Sequence, residues 1–329
     1  MVMSMERDYR LDVLRVIAIS LIVLMHSPIP NSAPGFVLTG ISYLTAPGIG
    51  LFFMISGALL LGNKLSTGEF LKRRFSKVLF PTLFWTAFYL VVKCIKAPIP
   101  MADLVRIVLS IPFSAQGHGV LWFMYTLAGL YLLTPILSRW LKTATKREIE
   151  FYLMLWGVTL LYPYLKPVLT INESDTGLLY YFAGYSGYFL FGYYLKYLYE
   201  FKWTHVFLAL AIAIMVPAVL YSSQVEFDFY SMLWYLSLPV ACMAFIWYAL
   251  ICQLHNKRIT MFSDLSRLSF GIYLIHIFIM RDLLWQVDAI SLLPGLIQIA
   301  VITIVTLLFS YIVVWSLSKL SFSKYIIGV

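Results

Sequence analysis

Apolar residues along this 329-residue chain gather into ten stretches, each long enough as helix to cross a hydrocarbon core of about 30 Å. They fall near 11–28, 44–62, 78–95, 119–137, 149–167, 178–199, 203–222, 228–252, 268–286 and 290–317. The pattern predicts an all-α, polytopic membrane helix bundle of about ten transmembrane helices. The longest gap between stretches, Lys96 to His118, cannot hold a soluble module, so residues 1–329 read as a single integral-membrane domain. Within that gap MADLVRIVLSIPF has helical apolar spacing but is too short to span, which suits an interfacial or re-entrant helix.

Polar residues that interrupt these stretches carry the information about chemistry. The first, DVLRVIAISLIVLMHSPIP, contains Arg15 and His26. Burying an arginine in hydrocarbon costs about 2.5 to 3.5 kcal/mol on insertion scales, so such residues mark polar cavities or function. Eleven residues are about three helical turns and roughly 16 Å of rise, so His26 returns to the face that carries Arg15. His26 suits a general base for a hydroxyl proton, and a packing histidine is the equal alternative. Arg15 suits a phosphate or carboxylate, or it snorkels to the nearby interface.

Other spans add further candidates. The second places Ser56 and Gly57 among Gly48, Gly50 and Ala58, small residues that let a neighbouring helix or a ligand approach closely. In the fourth, His118, Trp122, Tyr125 and Gly129 share a face, although a Trp and a His near a helix end also match an interfacial belt. In the ninth, Ser269, Tyr273 and His276 do the same and supply a second intramembrane histidine. The sixth is crowded with Tyr180, Tyr181, Tyr185, Tyr188, Tyr193 and Tyr194, whose hydroxyls need partners at membrane depth or a wet lining.

Composition agrees with the pattern, with 61% hydrophobic and only 12% charged residues, far outside the range of soluble domains. Placing the N-terminus in the cytoplasm leaves only Lys93, Lys96, Arg106, Lys166 and Arg281 of the 24 Lys and Arg residues outside. The positive-inside rule then puts both termini in the cytoplasm. The net charge of +9 is a topology signal that needs no nucleic-acid partner. FLKRRFSKVLFP concentrates Lys72, Arg73, Arg74 and Lys77 at the cytoplasmic mouth, where topology, anionic lipid or the phosphates of an anionic cofactor each explain them. The start MERDYRLD and the lack of a small-residue cleavage site make the first helix a retained anchor. Cys94, Cys242 and Cys252 are too scattered for a disulfide framework, and no metal site is expected.

Five segments in order carry a family resemblance: Arg15-x10-His26 after RLDVLR, Phe52-Phe53-Met54-Ile55-Ser56-Gly57, Arg74-x2-Lys77-x3-Pro81, Leu121-Trp122-Phe123, and Ser269-Phe270-Gly271-Ile272-Tyr273-Leu274-Ile275-His276. Together they resemble the acyltransferase-3 family of bacterial inner-membrane acyltransferases. The resemblance implies transfer of an acyl group, usually acetyl from acetyl-CoA, to a hydroxyl of a carbohydrate (polysaccharide or lipid-linked sugar). It also implies His26 as base and Arg15 as its partner in the site. Lys77 stands where many relatives carry Arg, keeping charge but losing bidentate geometry. Some relatives add an extracytoplasmic SGNH-type domain after the last span, and this chain reads as the standalone form.

The resulting expectation is a membrane O-acyltransferase whose acyl-CoA lays its phosphates on Arg73, Arg74 and Lys77. Its thioester would reach His26 along a channel lined by Ser56, His118, Trp122, Tyr125, Tyr273 and His276. A transporter or flippase for a lipid-linked sugar or acyl donor would need similar buried polarity, and a non-catalytic assembly partner is the third reading.

Overall fold

The computed structural model describes residues 7–29, 32–114, 119–170, 177–223 and 226–329, and among these every regular element is helical. The main helices are α1 (Arg10–His26), α2 (Gly35–Leu60), α3 (Thr67–Lys96), α4 (Met101–Ser110), α5 (Gly119–Trp140), α6 (Lys146–Thr159), α7 (Tyr162–Leu169), α8 (Tyr185–Tyr197), α9 (Trp203–Ser222), α10 (Leu238–Ile251), α11 (Thr260–Gln286) and α12 (Gly295–Leu317). Six of them, α2, α3, α5, α9, α11 and α12, are long and apolar enough to cross a bilayer unaided. α10 is apolar but shorter.

Three of the apolar stretches are broken for local reasons. The stretch at 149–167 divides into α6 and α7, with Pro163 in the first turn of α7. That at 178–199 holds a 3-10 turn, Tyr180–Phe182, and then α8, which starts after Gly184 at φ 96°, a conformation open to glycine. The stretch at 228–252 divides into a single turn, Phe229–Met232, whose N–H groups Asp228 caps, and α10, which opens on Pro239. MADLVRIVLS forms the ten-residue, largely exposed α4.

The chain gathers into two compact units, residues 1–62 with 138–266, and residues 63–137 with 267–329. The first centres on Pro47–Leu60 of α2, where every residue except Leu59 is buried. Glycines set how closely its neighbours lie. A Cβ on Gly57 would sit 1.7 Å from the Phe189 carbonyl oxygen of α8, and one on Gly192 of α8 would sit 1.9 Å from the Met54 carbonyl. α1 packs along the same segment, with Gly48 against the Ala18 carbonyl. These glycines therefore serve helix packing, one of the two roles that their spacing allows. α9 packs on α10 and otherwise turns Phe207, Leu208, Ile214 and Met215 outward.

In the second unit the C-terminal segment is folded back onto α3. Trp85 Nε1 donates to the Ile326 carbonyl at 2.9 Å, and Gly328, at φ 72°, lies against the Lys77 carbonyl. Tyr89 Oη donates to the Leu274 carbonyl of α11 at 2.9 Å. Gly271 of α11 leaves space for Val314 of α12.

Candidate functional site

α1 carries the most chemistry for its length. Asp12 lies in its first turn, and the helix stops at His26 because Pro28 cannot supply the next N–H. Ser27 closes the end by donating its hydroxyl to the Val23 carbonyl at 2.8 Å. Arg15 and His26 are both half-buried. The His26 Nδ1 lies 2.8 Å from the Ile22 carbonyl oxygen. A carbonyl can only accept, so Nδ1 carries the hydrogen, and in the neutral ring Nε2 is the nitrogen with the lone pair. The ring is thereby held in the tautomer a base requires. The same Nδ1–H bond persists when Nε2 takes a proton.

Asp12 is an anchor that the sequence reading passed over. It is buried and accepts from Ser266 Oγ at 2.8 Å, Ser263 Oγ at 3.1 Å and Arg7 at 2.8 Å. A carboxylate three residues before Arg15, and paired serines three residues apart in Ser263-x2-Ser266, were the available signals. Ser56, on the buried half of α2, also belongs to this first unit and is itself buried. The tyrosines of α8 find partners within the unit. Tyr188 donates to the Tyr235 carbonyl at 2.7 Å, Tyr194 to Glu150 at 2.7 Å and Tyr197 to the Ala58 carbonyl at 3.2 Å.

The remaining candidates belong to the second unit, apart from His118, which lies outside the described residues. Tyr273 is buried, donates to the Val120 carbonyl and packs its ring 5.0 Å from that of Phe123. His276 is fully buried, with Nδ1 2.6 Å from the Tyr273 carbonyl, so it has the same tautomer as His26. Tyr125 donates to the Ile111 carbonyl at 2.6 Å and lies 3.2 Å from Thr86 Oγ1, while Trp122 is half-buried beside Phe123. These residues knit α5 to α11 and to the segment after α4.

Lys72, Arg73, Arg74 and Lys77 are all exposed. Three of them lie in a π-helical turn of α3, Leu71–Phe75, where the Ser76 N–H reaches back to the Leu71 carbonyl. Such widened turns re-aim side chains and recur at functional sites. Arg73 Nη2 lies 3.7 Å from Glu69, an exposed and solvent-screened pair, so it remains available to another anion.

Long apolar helices, with an arginine and an oriented histidine inside α1, define a multi-pass helical membrane protein. The acyltransferase domain family Acyl_transf_3 matches residues 8–315, and the chain belongs to that family. It is a membrane acyltransferase. No curated protein and no solved structure matches it.

Proposed function

We propose that this acyltransferase moves an acetyl group from acetyl-CoA to a hydroxyl of a cell-envelope carbohydrate, with His26 as the base. The observation that carries the reading is the Nδ1 bond of His26 to the Ile22 carbonyl, which presents Nε2 as the proton acceptor. Nε2 takes the proton of the acceptor hydroxyl as its oxygen attacks the thioester carbonyl. The tetrahedral intermediate collapses by breaking the C–S bond, CoA leaves as thiolate, and the imidazolium returns the proton to sulfur. Arg15, on the same helix, supplies positive charge for the anionic species that form along this path. Arg73, Arg74 and Lys77 hold the phosphates of the donor.

On this reading the chain lies in the inner membrane of a bacterium, crosses it about ten times and keeps both termini in the cytoplasm. The decisive experiment is acetyl transfer from labelled acetyl-CoA by the purified protein, followed by mass spectrometry of envelope glycans from cells with and without it. His26→Ala is expected to abolish transfer while leaving insertion and melting temperature near wild type. Transfer retained in a folded His26→Ala protein overturns the mechanism. Donor binding without thioester consumption by the wild type overturns the assignment of CoA as substrate.

A further inference from the structure

A polar cavity lies in the first unit, at the end where α1 begins and where α8 and α10 finish. Its volume is about 170 Å³, and Asp8, Arg10, Lys196, Tyr199, Cys252 and Gln253 are among its walls. At a bulk share of about 30 Å³ per water this is room for roughly five or six waters, or for one compact polar group.

Its walls are fixed in place. Asn256 accepts from the Tyr9 N–H at 2.8 Å and donates to the Arg7 carbonyl at 3.2 Å, so the segment before α1 is tied to the turn after α10. Arg10 forks onto Asp8, with Nε 2.9 Å from Oδ1 and Nη2 3.2 Å from Oδ2, and Nη1 donates to the Cys252 carbonyl at 2.7 Å. These bonds use three of the five guanidinium N–H groups and leave two. Asp8 and Arg10 balance each other. Lys196 lies within electrostatic range of both, attracted by Asp8 and repelled by Arg10, but ion-pairs with neither. It is half-buried, makes no ion pair or hydrogen bond with a described residue, and its Nζ lies 5.1 Å from the Tyr197 ring centroid.

The cavity thus has one positive charge in excess, three ammonium donors and two guanidinium donors. It opens at the ends of three helices, the level at which a spanning bundle meets lipid headgroups. Basic pockets between helices at that depth favour phosphate-bearing headgroups.

We propose that this cavity binds a phosphate group, with Lys196 as the principal charge and Arg10 as the donor fixed beside it. The binding is independent of acyl transfer. Two sources can supply the group, an anionic phospholipid or a soluble phosphate, and one set of measurements separates them. The delipidated full chain is titrated with phosphatidylglycerol, with phosphatidylcholine, and separately with inorganic phosphate and CoA, reading bound lipid by native mass spectrometry and bound anion by calorimetry. The variants are Lys196→Gln, Lys196→Arg, and Lys202→Gln as a control, because Lys202 is an exposed neighbour outside the cavity.

The expected result is phosphatidylglycerol retained in preference to phosphatidylcholine. Lys196→Gln should weaken it about fivefold, as suits the loss of one near-surface charge, with recovery in Lys196→Arg and no change in Lys202→Gln. Inorganic phosphate bound with the same dependence on Lys196, without lipid preference, supports the cavity and assigns the soluble source, whereas CoA binding that falls in Lys196→Gln overturns the independence from acyl transfer. Equal effects of Lys196→Gln and Lys202→Gln, or no effect of either on any probe, overturn the proposal and leave Lys196 as a cation at the C-terminal end of α8.

Discussion

Replacing Gly57 by alanine adds one methyl group where the structure has no space for it. The new Cβ would lie 1.7 Å from the Phe189 carbonyl oxygen, against a floor of about 3.0 Å for real Cβ contacts, so α8 must retreat by roughly 1.3 Å. The obstacle is backbone and cannot rotate away. A radial gap of 0.5–1 Å already forfeits a quarter to a half of each dispersion contact, and overpacking of a tight core costs about 1–3 kcal/mol or more. About 3 kcal/mol is therefore expected for Gly57→Ala.

Gly40, in the first half of the same helix, has nothing within 4 Å of its Cβ position. Gly40→Ala should be neutral or stabilising by up to about 1 kcal/mol, because alanine restricts the unfolded chain and favours helix. Gly192→Ala probes the same crossing from the other side. The Gly57→Ala, Gly192→Ala pair should cost less than the sum of the two, since one retreat of α8 accommodates both methyl groups. Thermal or denaturant-driven unfolding of the purified protein in one non-ionic detergent ranks the variants. A Gly57→Ala protein as stable as wild type, or a Gly40→Ala protein as damaged as Gly57→Ala, would show that the α2–α8 contact is not as close as described.

Three further outcomes follow from other parts of the molecule. Asp12→Ala should cost about 1–3 kcal/mol by leaving the Ser263 and Ser266 hydroxyls without their acceptor, and adding Ser263→Ala and Ser266→Ala should recover part of it in the same unfolding assay. The Arg73→Ala, Arg74→Ala variant should bind CoA more weakly by calorimetry, raised salt should mimic it in the wild type, and unchanged affinity would reduce the cluster to a topology determinant. Glu148 accepts from the Thr145 N–H and hydroxyl, which holds its carboxyl below the usual carboxylate range. Its contribution is present above the ordinary Glu value of about 4.3 and is lost as pH falls through the lower folded value. The stability advantage over Glu148→Gln should shrink there, and a difference independent of pH argues against the cap.

The apolar stretches were legible because membrane partition adds residue by residue along the chain, and the same arithmetic picked out Arg15 and His26 as expensive residues with a reason to be there. Local chemistry also governs the breaks at Pro163, Gly184 and Pro239, yet these residues lie inside runs whose hydropathy looks continuous. Contacts between distant segments were out of reach. Nothing near Asp12 in sequence reveals that Ser263 and Ser266 donate to it, and nothing beside Lys196 reveals that Asp8 and Arg10 share its cavity. Spacing alone favoured helix packing for Gly57 over a ligand without naming the neighbour, and the tertiary structure assigned it to α8 by placing a carbonyl where a side chain would stand. The tautomer of His26 was settled in the same way. A sequence specifies an imidazole, but which nitrogen holds the proton depends on the carbonyl it meets when the last turn of α1 closes.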